Sequence, residues 1–295
     1  MKSLGKWLMQ LLISIVAIFV MSGLPIIIAG LQQKQWLFKE AYESVVQAVK
    51  NLFPLKEYVF KYDQGWAGIK EYTYENTLSN YVEYSLQILV LSLATAIILS
   101  IAGTFVTMLF KDKTRQRIKM TFYFLESMPD VLVIVLAQLA IITIFKQTGV
   151  LLSKIAVIQD ERIYWLPVFC LMILPMIQLY RLSMLTFEAE ERKLYVEFAR
   201  SLGFGKLVIL FFHIFRNAIV SVFFQSKKTM WFMLSNLFIL ELMFNMPGIM
   251  NFLADHINTE VFLLTVFVFF VPVFILYSIG EWYFLRRVNK GGVSI

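Results

Sequence analysis

Six long apolar runs dominate the chain: Trp7 to Leu31, Tyr84 to Phe110, Thr121 to Phe145, Tyr164 to Phe187, Ala218 to Met246 and Val261 to Leu285. About 20 residues of helix cross a hydrocarbon layer ~30 Å thick, and lipid offers no partner to spanning backbone, so helix is the form expected of each run. With 59% hydrophobic and 16% charged residues and a mean hydropathy of +0.71, the sequence lies outside the make-up of a soluble domain. The expected fold class is all-α, a polytopic membrane protein with about six transmembrane helices. The first run follows Lys2 and Lys6 and resembles a secretory signal in its flanks. It exceeds the ~7–15 residues of a signal's apolar region and has no Ala-x-Ala exit, so it reads as a membrane anchor.

Basic residues in short loops are retained on the cytoplasmic side during insertion. Lys111, Lys113, Arg115, Arg117 and Lys119 crowd one such loop against Asp112 alone, and Arg286, Arg287 and Lys290 follow the sixth run. Both termini are therefore expected in the cytoplasm, with the chain in the cell membrane. The net charge of +7 is explained by these segments and does not call for nucleic acid. Residues 1–31 form the tail and first span, and residues 32–83 an extracytoplasmic excursion, mixed in charge and rich in Tyr and Trp, with helical spacing over Lys39 to Phe53. Residues 84–287 form a core of five spans, and residues 288–295 a cytoplasmic tail. Cys170, the one cysteine, sits in an apolar run, which excludes an internal disulfide or a cysteine-based metal cluster.

The loop at residues 188–217, EAEERKLYVEFARSLGFGKLVILFFHIFRN, carries two helical patterns hinged at Gly203 and Gly205. A short helix, a glycine-permitted turn and a helix returning to the bilayer would form a compact knob suited to docking. The bland reading is a solvated connector with an ordinary helix-ending glycine.

Within that loop Glu197-Phe198-Ala199, followed by Gly203, resembles the EAA-x-x-x-G signature of ABC importer permeases, with Phe198 in place of the middle alanine. His213-Ile214-Phe215-Arg216-Asn217-Ala218 resembles the His-x-x-Arg-Asn-Ala of peptide-type permeases at the same spacing. Arg181, Met184-Leu185 and Tyr195-Val196 match the lead-in. Glu241, Phe244 and Pro247-Gly248 match a Glu-x-x-Phe-x-x-Pro-Gly, and Ser127-Met128-Pro129 resembles a Ser-Ile-Pro. From about Tyr84 to Arg287 the sequence therefore resembles the permease subunits of the oligopeptide/dipeptide/nickel importer family. The resemblance implies that Glu197 to Gly205 is a coupling helix seated in a cytoplasmic ATPase, with Glu197, Phe198, Ala199, Arg200, Gly203, Gly205, His213 and Arg216 as coupling residues. It implies as partners a second homologous permease, one or two ABC ATPases and an extracytoplasmic substrate-binding lipoprotein. The polar turn agrees with docking: Glu197, Arg200 and Lys206 would supply rim charges, and Tyr195, Phe198 and Phe204 apolar anchors.

No G-x-x-x-x-G-K-[ST] loop is present, so P-loop ATP hydrolysis, with its ATP and Mg, is expected of partner subunits. There is no G-x-S-x-G or H-E-x-x-H, and His213 and His256 fall on opposite expected sides of the membrane, so neither catalysis nor a cofactor or metal is expected in this chain.

Ionisable groups within a bilayer are costly unless paired or hydrated, so they default to functional residues. Glu126 and Asp130 flank Pro129 in the third run, Lys227 and Lys228 interrupt the fifth, and Glu241 follows them. One expectation is that the acidic pair meets the basic pair as a gate or lock. The alternative is that these groups lie near the boundary, with the lysines snorkelling. Lys227, Lys228, Trp231 and Phe232 also depart from the small residues typical of the family's fifth span, and would re-line a pathway. The sequence is read as a non-catalytic permease subunit of an ATP-driven importer for peptides or a related small solute. A permease-like regulator with little transport is the alternative, and an intramembrane enzyme using Glu126, Asp130 and Glu241 a more distant one.

Overall fold

The computed structural model describes residues 2–32, 34–51, 59–63, 69–73, 78–157, 161–256 and 258–291. Six helical segments among them are long and apolar enough to cross a membrane: Leu11–Leu31, Ser79–Leu109, Asp130–Thr148, Trp165–Glu191, Lys206–Phe244 and Thr259–Phe284. The six expected spans are all present, with three differences that have physical causes.

The first run is broken at Gly23 into α1 (Lys2–Ser22) and α2 (Leu24–Gln32). The third run is shorter than expected. Residues from Asp112 to Glu126 form a separate helix, α5, and the span itself, α6, begins at Asp130. Pro129 causes the break: it disfavours helical backbone at Met128, and its own φ of −65° starts the next helix. The fifth span is longer, running 39 residues from Lys206. It comprises α9 (Lys206–Val208), a π-helical stretch (Ile209–Phe215) and α10 (Arg216–Phe244).

The chain divides into two units. The first comprises Met1–Leu86 and Pro247–Ile275. In it, α3 (Phe38–Asn51) forms where helical spacing predicts it; the expected helix end at Phe53 lies outside the described residues. A β-carbon on Gly23 would stand 3.5–3.6 Å from Val45 and Ala41, so α3 lies against the α1–α2 joint. The excursion is not wholly helical. Strands β1 (Val59–Asp63) and β2 (Ile69–Thr73) pair antiparallel, Val59 opposite Thr73 and Asp63 opposite Ile69, as their β-branched and aromatic residues favour. Tyr72 of this hairpin meets Phe252 and His256 of α11 (Ile249–Asp255, capped by His256) edge-on, at 5.1 and 5.2 Å between ring centres. Ser85 accepts a 2.9 Å bond from the Ile249 amide, and Asn51 donates to Glu260 at 2.9 Å.

The second unit comprises Gln87–Met246 and Leu276–Ile295. It holds the rest of α4 (Ser79–Leu109), α5, α6, α7 (Trp165–Glu191), α8 (Leu194–Ser201), the fifth span and the end of α12 (Thr259–Gly291). Its centre is α7 against α10, with Tyr180, Met184 and Phe187 among the fully buried side chains and Cys170 buried and unpaired. Close approach of α12 to α10 depends on Gly280, where a β-carbon would fall 2.0 Å from the Phe223 ring. Ser226 and Tyr277 hydrogen-bond beside it at 3.1 Å.

A candidate docking site at the α8 turn

Helix α8 is eight residues long, with one face bound and the other open. Val196 and Ala199, three positions apart, point inward with 0% and 2% exposure, into a cluster that includes Met108, Met184, Phe187, Leu210 and Ile214. The opposite face presents Leu194, Phe198 and Leu202 at i, i+4 and i+8, exposed by 82%, 65% and 60%. An apolar stripe left uncovered on a polar turn marks an interaction site more often than chance exposure.

The turn after α8 closes by two bonds. The Phe204 amide donates to the Ala199 carbonyl at 3.3 Å and the Gly203 amide to the Arg200 carbonyl at 3.0 Å, the Schellman pattern, with Gly203 at a left-handed φ of +82°. The two hinge glycines therefore differ. Gly205 has φ −65° and ψ 152°, and no atom lies within 4 Å of a β-carbon built there. Gly203→Val is expected to cost about 1–3 kcal/mol through left-handed strain, and Gly205→Ala to be nearly neutral. Thermal melting and protease sensitivity at 202–206 would check the contrast.

Three glutamates end α7: Glu188 and Glu191 reach α5, and Glu190 holds the start of α8. Arg115 and Lys119 share one face of α5 at i, i+4, and Glu188 and Glu191 one face of α7 at i, i+3. Glu188 meets Lys119 at 2.9 Å; Glu191 meets both Arg115 and Arg200 of α8 at 2.9 Å. Arg115 is only 9% exposed and also donates to the Met108 carbonyl at 3.0 Å, the last turn of α4. Glu190 takes Lys193 at 2.6 Å and accepts the Tyr195 hydroxyl, which in turn accepts from Asn217 at 3.0 Å. Burial first, and then the Glu190 carboxylate, push the Tyr195 hydroxyl up to about 12, so Tyr195 stays a neutral donor at physiological pH.

The inventory predicted from sequence is thus partly brought together. Glu197, Phe198, Ala199, Arg200, Gly203 and Gly205 occupy one turn, and His213 faces it, its ring 5.9 Å from Phe204. Arg216 is exposed at the start of α10. Of the three expected anchors, Phe198 and Phe204 are outward, whereas Tyr195 is bonded inward. Arg200 is held by Glu191, and Lys206 donates to the Leu109 carbonyl at 3.2 Å. Sequence reasoning missed Arg115, Glu191 and Asn217 as parts of this site.

The family whose profile is described as "Binding-protein-dependent transport system inner membrane component" matches residues 96–283, more than half of the chain. The chain belongs to this family. No curated protein matches it. Membership makes it an importer permease component, in a system that in general also contains a partner permease, an ATPase and a binding protein. The match covers α8 and its turn but not the excursion that carries α3 and the hairpin.

In this permease the membrane charges do not pair as expected from sequence. Glu126 sits at the end of α5 and meets Arg181 of α7 at 3.1 Å. The break at Pro129 has set it outside the span, beside α7 rather than α10. Asp130 stands at the start of α6 and makes no ion pair with Lys227 or Lys228 among the described residues. Glu241 is fully buried. Lys227 and Lys228 are exposed, with no hydrogen bond or ion pair to the described residues. Among the described residues, no group of three His, Cys, Asp or Glu gathers to hold a metal ion.

Proposed function

We propose that this permease lines half of the translocation path of an ATP-driven importer of the oligopeptide/dipeptide/nickel type, with peptides or a related small solute as cargo. The α8 turn, Glu197 to Gly205, is the lever by which a cytoplasmic ATPase drives the spans. The observation that carries this reading is the two-sided α8. Its inner face is locked into the ends of α4, α7 and the fifth span, so a push on the outer face reaches the membrane helices. Its outer face offers Leu194, Phe198 and Leu202 to a groove. Both termini lie in the cytoplasm with the α8 turn. ATP and Mg are bound by the ATPase, and a second permease closes the path; a lipoprotein delivers cargo outside. Alternating access is the mechanism.

A regulator with little transport is the second reading. It is favoured by the exposed Lys227 and Lys228 on a span where the family carries small residues. Purification of the intact complex in mild detergent, identification of every subunit and reconstitution in vesicles decide between them. ATP-dependent uptake of a peptide mixture supports import; an ATPase without any uptake supports the regulator; and purification with no ATPase sinks both.

A further inference from the structure

Lys227 and Lys228 stand near the middle of the fifth span, exposed and without a hydrogen bond or ion pair to the described residues. Helix continues on both sides of them, over residues 206–226 and 229–244. At about 1.5 Å per residue these arms measure roughly 30 and 24 Å. Neither is longer than a hydrocarbon layer of ~30 Å, so no placement of the span carries the pair clear of the membrane. On α10 the lysines share a stripe with Phe224, Trp231 and Ser235, all exposed and spaced three or four residues apart. The other side of the helix is turned to its own unit: Phe223 meets Gly280 and Ser226 bonds Tyr277 of α12, while Met233 and Leu237 are wholly buried.

An unpaired ammonium facing lipid is costly, and charged groups in spans face water-filled cavities or carry partners. Glu126 is held by Arg181, Glu241 is fully buried, and Asp130 pairs with neither lysine. The counter-charge therefore comes from what occupies the space in front of the stripe. Two features select a passing solute over a fixed subunit. Lysine carries a hydrated point charge on a flexible stem, whereas arginine's rigid fork serves lasting interface pairs, and transport needs binding weak enough to release. Phe224 and Trp231, one turn to either side of Lys228 and 36% and 37% exposed, set apolar surface beside the charge.

We propose that Lys227 and Lys228 form an anion site on the translocation path, and that the cargo bears a free carboxylate on an apolar body that lies against Phe224 and Trp231. This rests on the import reading above and narrows its substrate class.

The test is uptake by the intact complex in vesicles, with a mixture of short peptides lacking acidic side chains, offered as free acids or as their C-terminal amides. Wild type is expected to favour the free acids. Lys227→Gln with Lys228→Gln is expected to lower free-acid uptake about tenfold and to leave amide uptake, ATPase attachment and melting temperature as in wild type. Lys227→Arg with Lys228→Arg is expected to keep the preference. The binding protein is the same in every arm, so a change between variants reports the permease alone. Uptake of both forms alike, unchanged by the glutamine variant, would overturn the anion site and leave import standing. Uptake of neither form by wild type would overturn import itself and this site with it. Loss of the second permease from the glutamine variant would show that the lysines hold a subunit, and would also overturn the proposal.

Discussion

Ala199→Glu is expected to detach α8 from the bundle. Ala199 is 2% exposed and belongs to a buried cluster of apolar side chains that includes Met108, Met184, Phe187, Leu210 and Ile214. Burying an unpaired carboxylate there would cost several kcal/mol, more than the contacts of Val196 and Ala199 can offset, so the helix would swing out with its outer face misdirected. Hydrogen exchange over 194–208 should rise by orders of magnitude, and ATP-driven activity of the complex should fall at least a hundredfold, while the spans still melt cooperatively. Ala199→Gly keeps the space and serves as the control, at a cost of about 1 kcal/mol. Unchanged exchange in Ala199→Glu would mean that the inner face of α8 is not held as described.

Glu191→Leu is expected to be the most destabilising change among the ion pairs. It strips Arg115, which is 9% exposed, of its carboxylate and frees Arg200 as well. Removing one partner of a buried pair costs about 3–5 kcal/mol, mostly because the other charge stays buried and unmatched. The double variant Arg115→Met, Glu191→Leu removes both charges and should regain most of that loss, which simple disruption of packing would not. Glu188→Leu, whose pair with Lys119 is more accessible, should cost less and depend more on salt. Melting temperatures of these variants and wild type in one detergent check the order.

How much of the structure is legible in the sequence depends on how local each signal is. Spans announce themselves because length and hydropathy are properties of one segment, and the α8 turn because Gly203 and its neighbours lie within ten residues. The proline at the break is plain, but not that it ends one helix and starts a span, because Thr121 to Leu125 continue the same apolar run. The basic residues from Lys111 to Lys119 carry a topology signal that any short loop could carry. Half of their meaning lies 69 and 76 residues away, in Glu188 and Glu191, and no spacing rule joins segments so far apart. In the expected gate, sign alone matches Glu126 to Lys227 and Lys228, whereas Arg181, on a helix packed against α5, reaches it first. The hairpin at 59–73 escapes notice because two five-residue strands carry little signal beside the strong helical pattern of α3.

The claim on which the functional reading turns is that the uncovered face of α8 is where an ATPase binds. Capture of the ATPase by the full-length permease, wild type against Phe198→Ala with Leu194→Ala, tests it with the least intervening inference, since both side chains are exposed and neither supports the fold. Removing two central apolar anchors should weaken attachment by about 2 kcal/mol or more, some thirtyfold, with the melting temperature of the permease unchanged. An ATPase held as tightly by the double variant as by wild type would contradict the account.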